Sequence, residues 1–321
     1  MGTGHYLPQR VLSNHDLERM VDTSDAWIIE RTGIRERRIA ADGEATSAMA
    51  IAAGADAIKD AGLTPEDIDV LVLATTTPDQ IVPAASAFVS DGLGLRCGAF
   101  DVNAACAGFA YALVVGSSLV ATGARNVLVV GAETISRFID YDDRGTAILF
   151  GDGAGAAVLS ASTSGAALLS WDLGVDGSAT SLIEVPVGGS LRPARRDTVD
   201  GRGVFVQMQG NEVFRRAVRA VVESATVTLD KAGVTAADVD LFIPHQANVR
   251  IVDAVCARLG IDDDHTFVNI EKYGNTSAAS IPLAIGDALA AGRISDGDLV
   301  LLSGFGAGMT WASALLRWGR S

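Results

Sequence analysis

Two ten-residue stretches, Ala61-Gly-Leu-Thr-Pro-Glu-Asp-Ile-Asp-Val and Ala232-Gly-Val-Thr-Ala-Ala-Asp-Val-Asp-Leu, match at an offset of 171 residues (232 − 61). Each runs into an apolar segment, Val70-Leu-Val-Leu-Ala in the first copy and Leu241-Phe-Ile in the second. Further on, Asn126-Val-Leu-Val-Val-Gly finds its counterpart in Asp298-Leu-Val-Leu-Leu-Ser-Gly at nearly the same spacing. So long a period means two copies of one α/β unit and not a solenoid. Apolar runs without alternation imply strands covered on both faces. Helical segments at Thr46–Ala61, Ala84–Leu93, Gly108–Thr122, Val249–Leu259 and Ile281–Ala291 alternate with them. That order predicts mostly parallel sheets joined by right-handed crossovers. The join falls at the small-residue run Ala161-Ser-Thr-Ser-Gly-Ala, dividing the chain into halves 1–165 and 166–321.

With 321 residues, 49% of them hydrophobic and 20% charged, the chain can bury one large core or two fused ones. A net charge of −14 with no Lys/Arg-rich tract argues against nucleic-acid binding. Three cysteines, Cys97, Cys106 and Cys256, have neither disulfide-framework nor metal-ligand spacing, and the opening residues carry no basic-then-apolar signal segment. A reducing cytoplasm is the expected location. The uncharged run Val102–Ala124 is long enough to span a bilayer, but its Asn103, Ser117, Ser118, Thr122 and glycines fit a helix buried on all sides.

The chemistry-bearing candidates follow apolar strand-like runs, and in open α/β sheets ligands gather at the carboxyl ends of strands. Cys106 lies at a turn of small residues between the run ending at Val102 and the helix opening at Gly108. There it is an exposed nucleophile that the helix macrodipole pushes towards thiolate, or a small core residue. His245 ends Asp240-Leu-Phe-Ile-Pro-His. It can act as acid, base or oxyanion donor, or be a satisfied residue at a helix start. Asn275, in Gly274-Asn-Thr-Ser-Ala-Ala-Ser, is either a neutral donor suited to an enolate or part of a turn that begins a helix. The glycine-rich Gly151-Asp-Gly-Ala-Gly leads into a strand, and Gly304-Phe-Gly-Ala-Gly lacks a following Lys-Ser/Thr. Neither is a nucleotide loop; both fit close backbone approach and bare N–H groups near an oxyanion.

Taken in order, several segments resemble the β-ketoacyl-acyl carrier protein synthase III family of the thiolase superfamily. They are Thr23-Ser-Asp-Ala-Trp-Ile-Ile-Glu-Arg-Thr-Gly-Ile-Arg, Ala104-Ala-Cys-Ala-Gly-Phe, Asp143-Arg-Gly-Thr, Phe150-Gly-Asp-Gly-Ala-Gly-Ala-Ala, Pro244-His-Gln-Ala-Asn and Gly274-Asn-Thr-Ser-Ala-Ala-Ser. The resemblance covers nearly the whole chain. It implies a thiolase-like α/β fold of two duplicated halves, with mostly parallel mixed sheets in α-β-α-β-α layers.

The resemblance also implies a decarboxylative Claisen condensation. Cys106 would take an acyl group from acyl-CoA, His245 and Asn275 would support decarboxylation of malonyl-acyl carrier protein, and the enolate would attack the Cys106 thioester. The backbone N–H of Cys106 and one from the Gly306–Gly308 turn (Gly306 or Ala307) would form the oxyanion hole. Trp27 and Arg144 match an adenine sandwich, Arg31 a phosphate contact, and Thr23, Asn211 and Asn248 further coenzyme A contacts. Val82, Ile135 and Phe150 match the acyl pocket, with position 82 contributed across a dimer. Arg215, Arg216 and Arg219, on a helix with Phe214 and Val218 inward, join Arg250 in a match to the family's carrier-protein docking surface; a solvated helix face explains the same arginines. No metal or redox cofactor, no nucleic acid and no membrane is expected, and a homodimer is.

Two departures from the family pattern stand out. The chain starts at Gly-Thr-Gly, where the family has a short apolar strand ahead of it, so either that strand is missing, with an exposed sheet edge expected, or the true start lies upstream. Val82 replaces a bulky phenylalanine found in some members, so the chain is expected to accept primers longer or more branched than acetyl. Two competing readings are acyl transfer from Cys106 to an oxygen or nitrogen acceptor, which the intact Asn275 disfavours, and a non-catalytic carrier-binding subunit, which Cys106 disfavours.

Overall fold

The computed structural model describes residues 2–199 and 201–320. The first half supplies strands β1 (Gly2–Tyr6), β2 (Val70–Ala74), β3 (Gly98–Val102), β4 (Asn126–Glu133) and β5 (Gly153–Ser160). Its main helices are α1 (Asp25–Thr32), α2 (Thr46–Asp60), α3 (Ala85–Leu93) and α4 (Gly108–Ala121). The second half supplies β6 (Ala167–Val175), β7 (Leu241–Pro244), β8 (Leu299–Gly306) and β9 (Thr310–Arg317), with α5 (Gly210–Ala232), α6 (Val249–Leu259) and α7 (Ser280–Ala290).

The strands form two sheets, ordered β1-β5-β4-β2-β3 and β7-β8-β9-β6. Laid side by side, the orders repeat. Where the first sheet has β3 beside β2, the second has an isolated bridge from Phe242 of β7 to Thr266. Strand periodicity explains the layers, because successive side chains leave opposite faces. Val127 and Val129 of β4 enter a central core with Phe109 and Leu113 of α4, Ile281 and Ile285 of α7, and Val300 and Leu302 of β8. Leu128 and Val130 pack outward with Met49 and Ala53 of α2, while Leu301 packs outward with Ala217 and Val221 of α5. The result is α2/α3, sheet, α4/α7, sheet, α5/α6. The uncharged run ending at Ala124 is therefore a helix between two sheets, and among the described residues no helix is long and apolar enough to cross a membrane.

One expectation is corrected. The sheets are mixed and not mostly parallel: β2 pairs in parallel with β3 and β4, and β7 with β8, but β5, β9, β1 and β6 are all joined antiparallel. The antiparallel pair β8–β9 follows from the short Ala307–Met309 turn, since a parallel pair needs a long crossover. Gly-Thr-Gly-His-Tyr is itself β1, the edge strand of the first sheet, in register with Ala154–Val158. Gly4 lets it lie against α2, where an added Cβ would sit 2.2 Å from the Ala53 carbonyl oxygen.

Candidate active site

Cys106 stands on a turn whose shape is set locally. After β3, Asn103 Oδ1 accepts the Ala105 N–H at 3.3 Å, Ala105 takes φ +49°, and one 3-10 turn (Ala105–Ala107) runs into α4. The second half copies this at an offset of 172 (275 − 103). Asn275 Oδ1 accepts the Ser277 N–H at 2.9 Å, Ser277 also has φ +49°, and a 3-10 turn leads into α7. A positive φ is uncommon outside glycine and costs of order 1–3 kcal/mol where the surroundings enforce it. The duplication thus yields two strained turns that face each other. One carries the thiol; the other carries the Asn275 and Ser277 side chains.

The thiol donates to Ser277 Oγ at 3.4 Å, and Ser277 donates in turn to Glu133 Oε1 at 3.0 Å. Glu133, at the end of β4, is fully buried and also accepts hydrogen bonds from Thr75, Thr76 and Thr77. The Cys106 residue borders the cavity, yet its sulfur is enclosed, and burial pushes the thiol up to about 12. The Ser277 hydrogen bond opposes that rise and the Glu133 charge adds to it. Burial thus works against the push towards thiolate expected from the helix dipole. A rise from 9.0 to about 12 is worth roughly 4 kcal/mol, whereas a helix end returns about 0.3–2 kcal/mol. Desolvation therefore opposes the helix dipole and favours the protonated thiol.

His245 follows β7 and is fixed by its own N–H to the Ser303 carbonyl of β8 at 2.7 Å. Its Nδ1 lies 2.5 Å from Ser280 Oγ at the start of α7, and Phe305 meets the ring edge-on at 5.5 Å. Nε2 is buried without a partner, and burial lowers the imidazole to about 3, so the ring is neutral. A neutral imidazole with one free nitrogen can donate to, or accept from, a substrate atom at that position.

The glycine-rich end of β8 closes the site from below. A Cβ on Gly306 would sit 2.5 Å from the Cys106 nitrogen, so only glycine allows this approach. Thr310 Oγ1 donates to the carbonyls of Ala104 (2.8 Å) and Ala307 (3.1 Å), tying the Cys106 turn to the Gly306–Gly308 turn.

One cavity of about 1260 Å³ is lined by Cys106, His245, Asn275, Ser277, Phe305 and Gly306, with Ala307 beside them. Ile135 and Phe150, both buried, line its wall, and Trp27, Arg31, Asn211, Asn248, Arg215 and Arg250 also border it. Thr23 and Arg144 do not reach the wall. Arg144 lies 4.8 Å over the Trp27 ring, and Arg31 lies 5.7 Å from the same ring. An inserted adenine needs about 7 Å, two van der Waals layers, so the expected sandwich is closed on itself and Arg144 must move to admit a ring. Asn248 is also a helix cap, accepting from the Arg250 N–H at 2.9 Å. Val82 is 79% exposed and off its own chain's cavity wall.

The basic helix needs correction as well. Val218 is buried and Phe214, half-buried, packs against the same core while also bordering the cavity, with Arg250 6.0 Å over its ring. Arg216 is bound by Glu212 (2.9 Å) and Asp176 (2.7 Å), and Arg215 also pairs with Glu212, so carboxylates from this same chain offset much of the cluster's charge. Arg219 is exposed. Among the described residues, no group of three or more His, Cys, Asp or Glu side chains is placed to hold a metal ion.

Sequence reading overlooked Glu133, Ser280, Phe305 and Thr310, and it treated Ser277 as part of a turn. Glu133 alone left a signal: an acid ending an otherwise apolar strand is rarely buried without a purpose. The others acquire meaning through contacts between residues far apart in sequence.

Family models for 3-oxoacyl-[acyl-carrier-protein] synthase III match residues 100–177, and those for its C-terminal part match residues 229–318. The β-ketoacyl-[acyl-carrier-protein] synthase III of Desulfitobacterium hafniense is 49% identical over 322 residues, spanning 100% of this chain and 97% of that one. The crystal structure of 3-oxoacyl-[acyl-carrier-protein] synthase III from Aquifex aeolicus superposes with a TM-score of 0.92 at 45% identity, over 99% of this chain and 98% of the other. The priming β-ketosynthase of the R1128 polyketide pathway superposes at 0.91 and 38% identity, over 100% and 96%.

Proposed function

Because the chain belongs to the β-ketoacyl-acyl carrier protein synthase III family, we propose that Cys106, His245 and Asn275 carry out its condensation in the cavity they share. The chain is a condensing acyltransferase that initiates fatty-acid or polyketide chains from acyl-CoA and a malonyl-carrier protein. In this reading Cys106 attacks the thioester of the acyl donor to form an acyl-enzyme. The Cys106 N–H and that of Gly306 or Ala307 hold the oxyanion. The donor thiol then departs along the opening bordered by Trp27, Arg31, Asn211 and Asn248.

Malonyl-carrier protein next loses carbon dioxide. His245 Nε2 and the Asn275 amide stabilise the enolate as neutral donors, and the enolate carbon displaces Cys106 from the acyl group. Exchange of one thioester for another is nearly neutral in energy, and loss of carbon dioxide drives carbon–carbon bond formation. The whole cycle needs no metal or redox cofactor. The observation that carries the reading is convergence: residues from three elements in two halves line one cavity, and His245 keeps Nε2 without a protein partner.

Carrier-protein docking is assigned to Arg250, Arg215 and Arg219 beside the opening, with Arg216 held by its two carboxylates. A homodimer through the β3 edge accounts for the exposure of Phe100 and Val82. The enzyme is assigned to the cytoplasm. The test is incubation with an acyl-CoA followed by malonyl-carrier protein. A mass gain on Cys106 and then carbon dioxide release with a β-ketoacyl product are expected. An unmodified Cys106 defeats the reading, and acyl transfer without carbon dioxide release replaces it with transfer to an oxygen or nitrogen acceptor.

A further inference from the structure

The condensation above leaves several buried ionisable groups without a task, and Glu133 is the one that the thiol's hydrogen-bond chain reaches. Glu133 is fully buried, and every partner in contact with it is a neutral donor: Thr75, Thr76, Thr77 and Ser277 hydroxyls and the Thr76 and Thr77 N–H groups. Among the described residues, no ion pair reaches it. Thr46 of α2 stands behind Thr77, and Asp79 of the same loop is bonded to Ser47, so no cation offsets the carboxylate from these elements. A buried acid without a counter-charge is costly, and here neutral hydrogen-bond donors alone compensate it. The thiol's hydrogen bond runs towards this acid through Ser277, not to the free Nε2 of His245.

We propose that Ser277 and Glu133 form a proton relay that charges and discharges Cys106. As Sγ bonds to the carbonyl carbon of the acyl donor, it passes its proton to Ser277 Oγ while Ser277 passes its own to Glu133 Oε1. The bond from that carbon to the donor sulfur then breaks, and the departing thiolate takes a proton from solvent. When the enolate carbon attacks the acyl-enzyme, Cys106 leaves as a thiolate and the proton held on Glu133 returns along the same path. The relay keeps no more than one negative charge in the enclosed site at any stage. Ionising the thiol directly would place two there, at a heavy electrostatic cost in low dielectric. Ser277 touches the reacting sulfur; Glu133 acts through it as a positioning residue. The relay rests on the reading that Cys106 is acylated.

The test is single-turnover acylation of Cys106 by an acyl-CoA, followed by intact mass from pH 6 to 9, for the wild-type chain, Ser277→Ala and Glu133→Gln. Both variants are expected to acylate about 10²-fold more slowly at neutral pH and to recover as pH rises, because hydroxide then removes the proton. A packing defect slows acylation equally at all pH values. A wild-type rate and profile for Ser277→Ala, or a pH-independent loss in it, overturns the relay. Should Glu133→Gln lose cooperative unfolding, Ser277→Ala decides alone. A wild-type chain that takes no acyl group defeats the acyl-enzyme reading itself.

Discussion

His245 shows how a single buried side chain couples chemistry to stability. Its folded value of about 3 lies below the ordinary 6.5, so between these pH values the unfolded chain binds a proton that the folded chain refuses. Stability from this group is present above pH 6.5 and is lost as pH falls. At pH 5 the loss is about 2 kcal/mol relative to pH 7. Glu133 and Asp152, both raised by burial, work in the opposite sense, favouring the fold at low pH and losing that contribution as pH rises. Urea unfolding of wild type and His245→Asn at pH 7 and 5 isolates the histidine: the variant is expected to lack about 2 kcal/mol of the acid loss, and an equal loss in both refutes it. Asn275 is read by charge. Asn275→Asp puts an anion where the enolate forms and is expected to lower condensation roughly 10²–10³-fold. Acyl-enzyme formation, measured by mass, supplies the contrast, since the Asn275 amide is assigned to the second half-reaction.

At the scale of elements, the site is built where strands end and helices begin. The elements themselves were readable. Val70–Ala74 and Val249–Leu259 were expected at the ends they have, and α2, α3, α4 and α7 within a residue. Periodicity and breakers sufficed there, because each segment's pattern matches its own burial. Strand partners were not readable, since an apolar run looks the same beside a parallel or an antiparallel neighbour. The glycine-rich end of β8 illustrates the boundary: its sequence signalled close approach, but only the fold shows that Cys106 is what approaches. Gly306→Ala forces a Cβ to within 2.5 Å of the Cys106 nitrogen. It is expected to destabilise the fold by about 1–3 kcal/mol and to slow acylation about 10²-fold by displacing the oxyanion donor. Thermal unfolding together with the acylation rate checks both; an unchanged acylation rate removes the Cys106 N–H from the proposed oxyanion hole.

The whole molecule adds what no single chain segment can. Val82, 79% exposed and off its own cavity, can shape an acyl pocket only from a neighbouring copy. The β3 edge, with Phe100 39% exposed, offers strand pairing to that copy. Sedimentation is therefore expected to show a dimer. Val82→Phe is expected to disfavour branched and medium-chain acyl-CoA against acetyl-CoA about 10-fold in competition, since a pocket change of this size is worth about 1–3 kcal/mol. A monomer in sedimentation, or primer selectivity unmoved by the substitution, places position 82 outside the pocket.

The sequence by itself determined the duplication and the alternation of apolar strands with helices, because local pattern is written along the chain; Cys106, His245 and Asn275 stood there as candidates that the family resemblance singled out. Tertiary structure alone decided the desolvation of the Cys106 thiol, the closed stack of Arg144 on Trp27, the pairing of Arg216 with two carboxylates and the place of Glu133. Each of these depends on desolvation or on a charge brought near by the fold. Those energies scale with burial and distance in space, and separation along the chain encodes neither.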